Sequence, residues 1–454
     1  MYCQPVNFSL LSSKDENQSR LLYADRVRKI LKKEPNVTET DSPEIVKEFE
    51  RQWKVISRGA VDMLPEDEFE KKLKKSIKEN KPLRIKQGFD PTAPDIHLGH
   101  TVGIRKLRQF QDLGHKIVLI VGDFTAMVGD PSGRSVTRPK LSYDEVMSHA
   151  DTYLKQFFAI LDKSKTEVRM NGEWFKKMNF AEIMELAGKF TVARLLERDD
   201  FSKRFNEGTP ISIHELFYPL MQGYDSVAMN ADIELGGTDQ KFNLLCGRTI
   251  QEAYGVEPQC ILTMPLLVGI DGEKKMSKSA GNYIGIDEPA REIFGKAMSI
   301  PDNLILTYFE LATEVPAEKL AEIKSGLEDS KTNPMTLKKE LAETLVDMYH
   351  PAGSGREARE EFERVFSKGQ LPDEIPEVDS AKLKKQDIDP KKIYLVHLMT
   401  KNDLARSNSE ARKLIQAGGV SIDNEKIADV DFEFSVDKEM VLKVGKRRFL
   451  KIVP

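Results

Sequence analysis

The amino-acid sequence predicts an α/β fold with a parallel sheet, followed by a helical region and a small α+β unit. The run LRIKQGF, from Leu83 to Phe89, has the pattern of a buried strand, and a turn-rich stretch and then a helix closed by Gly114 follow it. The run KIVLIVG, which begins at Lys116, is rich in β-forming residues. Strand, helix and strand at this spacing predict a βαβ unit, whose two strands are parallel.

Apolar periodicity predicts the other elements. The predicted helices lie within segment 44–81 and over 145–161, 181–197, 239–254, Thr336–Tyr349 and Gly355–Phe366. Thr263–Gly269 is predicted as an apolar strand. Beyond about Pro289 the strands stop and amphipathic helices take over. Residues 369–390 carry three prolines among charged residues, a composition typical of a linker.

These patterns divide the chain into five segments. The predicted segments are an N-terminal extension without an assigned role (1–43), an α/β domain with an N-terminal helical segment (44–288), a helical domain (289–368), a linker (369–390) and a small terminal domain (391–454). A chain of 454 residues is long enough for two or three such domains.

Composition excludes several classes of protein. The formal net charge is −4, so any nucleic-acid contact must come from a local basic surface. Cys3, Cys246 and Cys260 have no CxxC spacing, which excludes a disulfide framework and a cysteine zinc site and suits a reducing compartment. No apolar run approaches the ~20 residues of a membrane helix, and no secretory signal pattern is present. We therefore expect a cytoplasmic protein with no membrane partner.

The first chemical motif is His97-Leu98-Gly99-His100, at the point where the first predicted strand leads into a helix. The N–H groups at a helix N-terminus favour anions, and Gly99 lets a ligand approach the backbone. The two imidazoles can donate hydrogen bonds to phosphate oxygens. A metal pair or two packing histidines are the alternatives, but the preceding strand and Pro-rich turn favour a phosphate site.

The second motif is Lys275-Met276-Ser277-Lys278-Ser279, flanked by Gly272 and Gly281. Two lysines on a glycine-hinged loop can close over a polyphosphate and offset its charge. Taken alone, the motif is best explained as a solvated, lysine-rich loop. Its pairing with the histidine motif earlier in the chain favours a nucleotide site.

Together these motifs resemble the HIGH-like and KMSKS motifs of the class I aminoacyl-tRNA synthetases, the second at all five positions. The resemblance implies a Rossmann-like catalytic domain that binds ATP between the motifs. It also implies attack by an amino-acid carboxylate on the α-phosphate, with Mg²⁺ on the phosphates that leave. The expected catalytic residues are then His97, His100, Lys275 and Lys278. This chemistry requires no side-chain nucleophile.

Further stretches resemble the tyrosyl-tRNA synthetase family, from about residue 52 to the end of the chain. They are GFDPT from Gly88, GDFT from Gly122, GDPSGR from Gly129, YPLMQGYDS from Tyr218 and GGTDQ from Gly236. Each stretch alone is only moderately specific, whereas all of them in this order, with KMSKS after them, form a far more specific pattern. The resemblance implies that the protein activates tyrosine with ATP and joins it to tRNA(Tyr).

The resemblance also implies which residues contact each substrate. On the ATP side these are Asp90, Thr92, His97, Gly99, His100, Gly237, Asp239, Lys275, Lys278 and Ser279. On the tyrosine side they are Asp130 for the α-amino group, Asp225 for the phenolic hydroxyl, and Thr125, Tyr218, Gln222 and Gln240 around them. For any single residue, a helix cap, a surface position or core packing is a competing explanation. Lys86 stands where many relatives carry a tyrosine, so a second hydroxyl contact is not assigned.

The terminal domain carries a helix pattern bounded by a predicted capping box, Ser407 with Glu410, and by Gly418-Gly419. Helix, glycine pair and β-rich run resemble an S4 RNA-binding domain, which reads RNA by shape and backbone. Its expected RNA contacts are Arg406, Arg412, Lys413, Lys446 and Arg447. A solvated helix face is the alternative for Lys413 alone. The resemblance further implies a homodimer.

Three other functions compete with this interpretation. A tryptophan-specific relative is disfavoured by the stretch from Tyr218 to Ser226 and by the S4-like tail. An adenylyltransferase for another small acid would share the histidine motif, but it needs neither an RNA module nor KMSKS. A non-catalytic RNA-binding paralogue is disfavoured by the intact histidines and lysines.

Overall fold

The computed structural model describes residues 42–91, 95–131, 142–329, 332–367, 375–445 and 448–454. The chain divides into two compact units, which we call the N-terminal unit (to Gly355) and the C-terminal unit (from Arg356). The predicted extension 1–43 lies outside the described residues except for its last two positions.

The N-terminal unit is built on a six-stranded sheet. Its strands are β1 (Asp62–Leu64), β2 (Arg84–Phe89), β3 (Lys116–Val121), β4 (Thr166–Met170), β5 (Ile233–Gly237) and β6 (Cys260–Met264). The order is β1-β6-β5-β2-β3-β4, and all neighbours are parallel except β1, which pairs antiparallel with β6. The predicted α/β class with a parallel sheet is confirmed. Strand β3 is apolar almost throughout because its residues from Ile117 to Val121 are buried.

The sheet differs from the prediction at β6. The strand predicted over Thr263–Gly269 is wrong in its bounds, because the observed strand spans Cys260–Met264. Pro265 follows it, and proline has no N–H with which to continue a ladder. The chain therefore leaves the sheet there, and Leu266 and Leu267 line the cleft described below.

Helices connect and cover the strands. In the N-terminal unit they are α1 (Pro43–Ser57), α2 (Glu66–Glu79), α3 (Leu98–Asp112), α4 (Thr125–Val128), α5 (Tyr143–Phe157), α6 (Gly172–Phe175), α7 (Phe180–Ala187), α8 (Val192–Leu195), α9 (Asp199–Asn206), α10 (Ile213–Met229), α11 (Lys241–Ala253), α12 (Ala290–Ala297), α13 (Ile305–Ala312), α14 (Ala317–Glu328) and α15 (Pro334–Asp347), and α16 (Ser354–Ser367) begins at its end. The helix predicted over 181–197 is two helices, α7 and α8. The second, α8, begins at Val192 and is capped by Thr191, whose hydroxyl accepts a hydrogen bond from Arg194 N (3.2 Å).

The C-terminal unit contains seven strands in the residues that the structure describes: β7 (Glu377–Val378), β8 (Ile393–Tyr394), β9 (Val420–Ile422), β10 (Glu425–Lys426), β11 (Glu433–Phe434), β12 (Met440–Val444) and β13 (Arg448–Ile452). They form a second sheet, ordered β10-β9-β12-β13-β7, and a two-stranded sheet of β8 and β11. The further helices of this unit are α17 (Ser380–Lys385), α18 (Leu395–Lys401) and α19 (Asn408–Gln416).

Much of the predicted linker 369–390 is part of the C-terminal fold. Strand β7 pairs in parallel with β13, and Val378, Leu383 and Ile388 belong to the buried core of this unit. The prolines and charged residues of this segment indicated a linker, but these three apolar side chains are buried, and their burial stabilises the segment against the sheet. Residues 368–374 lie outside the described part of the chain.

Helices α10 and α11 pack closely beneath the sheet at Gly247, and this packing yields a prediction about stability. A Cβ on Gly247 would lie 2.4 Å from Gln259 Nε2 and 3.2 Å from Ser226 Oγ. The Gln259 amide is buried and donates to Glu234 and to Leu244 O, so it cannot move without losing hydrogen bonds. We expect Gly247→Ala to lower the free energy of unfolding by roughly 1–3 kcal/mol, measured by denaturant or thermal unfolding.

The matched control is Gly295→Ala in α12. A Cβ there has no neighbour within 4 Å among the described residues. Because alanine favours a helix over glycine, this variant should be stabilised by roughly 0.5–1 kcal/mol. Equal stability of the two variants would contradict the packing argument.

Candidate active site

A cleft of about 650 Å³ opens at the carboxyl ends of the parallel strands. This edge is where open parallel sheets place their ligand sites. Every predicted ATP-side and tyrosine-side residue that the structure describes lines this one cleft: Asp90, His97, Gly99, His100, Thr125, Asp130, Tyr218, Gln222, Asp225, Gly237, Asp239, Gln240, Lys275, Lys278 and Ser279. Thr92 lies outside the described residues.

His97 and His100 form the N-terminal cap of α3. The Nδ1 of His97 accepts from Gly99 N, and the Nδ1 of His100 accepts from His97 N, both at 3.2 Å. Because both Nδ1 atoms accept, the proton of each neutral ring lies on Nε2. Each histidine therefore has an Nε2–H group to donate, and both side chains line the cleft.

Both histidines are neutral at physiological pH. Burial lowers the pKa of His97 to about 2, and the charges of His100 and Lys278 contribute. Burial also lowers the pKa of His100 to about 4, again with a contribution from Lys278. The rings can thus donate hydrogen bonds to an anion without carrying a charge of their own, and the positive charge at this end of the cleft comes from lysines.

The lysine motif lies directly against the histidine motif. A short antiparallel bridge joins His97 to Gly285, and Leu98 N donates to Ile284 O (3.0 Å). A Cβ on Gly99 would lie 3.5 Å from Met276 Cβ, an ordinary contact distance, so the two segments pack against each other at this glycine. The two motifs therefore meet at one end of the cleft, although nearly 180 residues separate them in sequence.

Both motif lysines are paired with cleft carboxylates. Lys275 Nζ lies 2.9 Å from Asp239 Oδ2, and Lys278 Nζ lies 3.0 Å from Asp95 Oδ2. Both pairs are partly exposed, so each contributes little to stability. A polyphosphate in the cleft could compete with these carboxylates for the two ammonium groups.

Asn282 organises the lysine loop, and sequence analysis missed it. Its buried amide oxygen accepts from Ser277 N (2.8 Å), and its nitrogen donates to Asp271 Oδ2 (2.9 Å) and to Lys275 O (3.2 Å). One side chain thus ties both arms of the loop together. The sequence feature that could have identified Asn282 is its position three residues after the lysine motif.

At the other end of the cleft, buried polar side chains form a connected network. Tyr218 Oη donates to Asp90 Oδ2 (2.9 Å), and Thr125 Oγ1 donates to Asp90 Oδ1 (2.7 Å). Burial, and then the charges of Asp90 and Asp130, raise the pKa of Tyr218 well above its ordinary value. Tyr218 therefore remains a neutral donor that orients Asp90 in the cleft.

Asp225 is the most deeply buried carboxylate of the cleft's far end, with 4% of its surface exposed. Trp174 Nε1 donates to its Oδ1 (2.9 Å), and Asn171 Nδ2 approaches its Oδ2 (3.4 Å). Burial raises the pKa of Asp225 to about 7, although Lys86 and these donors act in the opposite direction. Sequence analysis missed Trp174 and Asn171, because no local pattern relates them to residue 225.

Asp130 is held from two sides. Gln240 Nε2 donates to its Oδ2 (2.9 Å), and Arg198 Nη2 donates to its Oδ1 (3.0 Å). Asn243 Nδ2 then donates to both Gln240 Oε1 and Gln222 Oε1 (2.9 and 3.0 Å). Asn243 therefore links the predicted residues Gln222 and Gln240, and Arg198 holds Asp130; neither Arg198 nor Asn243 was predicted from the sequence.

In the C-terminal unit the predicted RNA contacts lie on and beside α19. Arg406, Arg412 and Lys413 are exposed, whereas Lys446 and Arg447 lie outside the described residues. Ser407 Oγ accepts from Glu410 N (3.2 Å), which is the predicted helix cap, but the Glu410 carboxylate accepts from Arg406 N (2.8 Å). The exposed side chains of Arg412 and Lys413 give the helix a basic face.

Two features are absent from the part of the chain that the structure describes. None of the helices found there combines the length and the apolar character needed to cross a membrane. The same residues contain no cluster of three or more histidine, cysteine, aspartate or glutamate side chains arranged to bind a metal ion.

Comparison with known proteins agrees with this geometry. A family model described as tRNA synthetases class I (W and Y) matches residues 78–367, and a model of the tyrosine–tRNA ligase SYY-like C-terminal domain matches residues 371–452. The chain is 54% identical to a tyrosine–tRNA ligase of Carboxydothermus hydrogenoformans, over 90% of this chain and 99% of that protein. It is 52% identical to that of Moorella thermoacetica, over 89% and 96%.

A solved structure shows the same fold. The tyrosyl-tRNA synthetase of Archaeoglobus fulgidus, crystallised with L-tyrosine, superposes with a TM-score of 0.57 at 24% identity, over 68% of this chain and 99% of that one. The sheet, the cleft and the first family model define the class I tRNA synthetases for tryptophan and tyrosine. Within that class, the identity to the bacterial ligases and the matched C-terminal domain show that the chain belongs to the tyrosyl-tRNA synthetase family.

Proposed function

We propose that this protein is an ATP-dependent ligase that activates tyrosine to tyrosyl-adenylate and then transfers it to the 3′ end of tRNA(Tyr). The observation that carries the proposal is the convergence of two neutral histidines and two lysines in one cleft that also holds a hydrogen-bonded network around Asp90, Asp130 and Asp225. The histidines and lysines suit a polyphosphate, and the network suits a zwitterion with a phenol.

At the phosphate end, His97 and His100 donate hydrogen bonds through Nε2–H, while Lys275 and Lys278 supply positive charge. These groups offset the negative charge that grows on the phosphates as the tyrosine carboxylate attacks the α-phosphorus. The bond from the α-phosphorus to the bridging oxygen breaks, and pyrophosphate leaves with the electron pair. The remaining proposed nucleotide contacts are Asp90, Thr92, Gly99, Gly237, Asp239 and Ser279.

At the tyrosine end, Asp130 accepts from the ammonium group and Asp225 accepts from the phenolic hydroxyl. Tyr218, Gln222, Gln240 and Thr125 surround these groups. In the second step the terminal ribose hydroxyl of the tRNA attacks the activated carbonyl, and AMP leaves. Binding both substrates in one orientation supplies most of the catalysis, since no covalent enzyme intermediate is required.

Mg²⁺ is proposed to enter with ATP, on the phosphates that leave. Mg²⁺ keeps several waters and is commonly bound through substrate phosphates with one or two carboxylates, and Asp95 and Asp239 lie at this end of the cleft. When bound, Mg²⁺ would neutralise part of the negative charge of the phosphates. Removal of Mg²⁺ by a chelator should stop the pyrophosphate exchange described next, and full exchange without a divalent cation would contradict this assignment.

The test of the catalytic loop is Lys278→Ala. Because a cation that meets the growing phosphate charge is lost, we expect tyrosine-dependent ATP–pyrophosphate exchange to slow by about 10²–10³-fold. Lys274→Ala is the matched control, since Lys274 is an exposed lysine of the same loop, and it should exchange at a near-normal rate. The assay is run across all twenty amino acids, and preference for another amino acid would overturn the proposed substrate.

The C-terminal unit is proposed to bind tRNA through Arg406, Arg412, Lys413, Lys446 and Arg447, and the helical region 289–368 to contact the anticodon region. We expect the double charge reversal Arg412→Glu, Lys413→Glu to raise the KM for tRNA by at least about tenfold, because phosphate contacts become repulsive. Tyrosine-dependent pyrophosphate exchange should stay unchanged. Charge reversal of exposed Lys438 in the same unit is the control, and ordinary charging by the double variant would refute this role.

A homodimer is proposed, and exposed apolar side chains support it. Within 180–213 the exposed fractions are 76% for Phe180, 53% for Met184, 60% for Val192, 64% for Phe205 and 76% for Ile213. Such concentrations of exposed apolar side chains mark protein interfaces. Phe180→Glu with Ile213→Glu should halve the mass measured by light scattering, whereas Met335→Glu, on α15, should leave the mass unchanged. A monomeric wild-type protein at micromolar concentration would rule the dimer out.

We also propose a cytoplasmic location, which fits the unpaired buried thiols of Cys246 and Cys260. Cell fractionation that recovers the protein mainly outside the cytoplasmic fraction would contradict it.

A further inference from the structure

A buried ion pair lies behind the tyrosine end of the cleft. Lys86 on β2 and Glu234 on β5 are register partners in neighbouring parallel strands, and their Nζ and Oε1 atoms are 2.9 Å apart. Each side chain is only 1% exposed, and neither is among the residues that line the cleft. Burying two charges carries a desolvation penalty that their attraction often fails to offset, so such a pair is weak evidence for a role in stability.

Lys86 cannot contact the tyrosine hydroxyl directly. Its ammonium group has three N–H donors, and all three are engaged within the protein. They reach Ser226 Oγ (2.7 Å), Gln222 O (3.0 Å) and the Glu234 carboxylate. Two of these acceptors lie on α10, on either side of Asp225 in the chain. Lys86 therefore anchors the stretch of helix that presents Asp225.

Glu234 fixes the side chain of Gln222. The carboxylate accepts from Gln222 Nε2 (3.2 Å) and from Ser226 Oγ (3.2 Å), and Gln259 also donates to it. Because the Gln222 nitrogen faces Glu234, its oxygen faces Asn243. The orientation of this cleft amide is thus decided by a residue outside the cleft.

The two charges of the pair act on Asp225 in opposite senses. Lys86, on β2, stabilises the charged form of Asp225, whereas Glu234, on β5, destabilises that form. The other groups that face Asp225 are the uncharged donors Trp174 and Asn171. Burial is the largest influence and raises the pKa of Asp225 to about 7, so the balance between Lys86 and Glu234 matters at neutral pH.

We infer that Lys86 and Glu234 are positioning residues for tyrosine selection: they hold Gln222 and Asp225 in place, and Lys86 favours the carboxylate form of Asp225, which accepts from the phenolic O–H. The inference rests on the proposed function. Phenylalanine has no O–H, so it would leave the buried carboxylate without that partner, at a free-energy cost. A protonated Asp225 carries no charge, so leaving it without the phenolic partner would cost less free energy, and it would discriminate less.

The test is the pH profile of kcat/KM for tyrosine in pyrophosphate exchange. Lys86→Met removes the charge that favours the carboxylate, so the acid limb should move to higher pH by roughly one unit. Glu234→Gln removes the opposing charge, so the limb should move to lower pH. In Lys86→Met the tyrosine-to-phenylalanine ratio of kcat/KM should fall about tenfold at neutral pH and recover as pH rises. The KM for ATP should stay near the wild-type value.

Two further variants keep the outcome decisive. Lys106→Met removes another buried lysine, whose Nζ donates to the carbonyls of Val55, Ile56 and Arg58, and it should leave the acid limb in place. The double variant Lys86→Met, Glu234→Gln contains no unpaired charge, and its limb should lie between those of the two single variants. If Lys86→Met does not fold, Glu234→Gln and the double variant decide the question.

Uniform loss of activity without opposite shifts of the acid limb would overturn the inference, since a purely structural pair would behave in that way. This outcome is distinct from failure of the proposed function, in which the wild-type protein itself would show no tyrosine-dependent exchange.

Discussion

The site depends on one constraint: the carboxyl ends of β2, β3 and β5 lie side by side at one edge of a parallel sheet. Each strand is followed by a turn that carries side chains lining the cleft, and the chain after β6 returns across the same edge as the lysine loop. The bridge between His97 and Gly285 then locks that loop to the start of α3. Segments that are remote in sequence therefore enclose a single cleft at this edge of the sheet.

The two ends of the cleft differ in the charged groups that they carry. At the phosphate end, desolvation keeps both histidines neutral, while the lysines remain partly exposed and charged beside carboxylates. This arrangement provides fixed donors together with displaceable cations, which suits an anion that must enter, react and leave. At the other end, Asp225 is buried, Asp90 and Asp130 are half-buried, and each carboxylate accepts hydrogen bonds from protein donors that orient it.

The layer behind the cleft explains how a buried polar site keeps its shape. Lys86, Glu234 and Gln259 are each almost fully buried, and hydrogen bonds connect them to one another and to Ser226 of α10. The close approach of α10 and α11 at Gly247 leaves just enough room for this network. The packing of glycine against buried amides and the orientation of the cleft side chains are thus parts of one arrangement, and a disturbance in either is transmitted to the other.

Local sequence patterns determined much of this protein: the βαβ unit, the cap at Ser407, and the identity of the histidines, lysines and acidic residues that line the cleft. They succeeded because strands, helix starts and glycine-hinged loops depend on residues only a few positions apart. Tertiary structure alone decided that Trp174 and Asn171 face Asp225, that Arg198 holds Asp130, that Lys86 pairs with Glu234, and that residues 377–388 belong to the C-terminal core. These contacts join positions far apart in the chain, and their partners are decided by burial and by hydrogen bonding among buried polar groups, which no short-range pattern encodes.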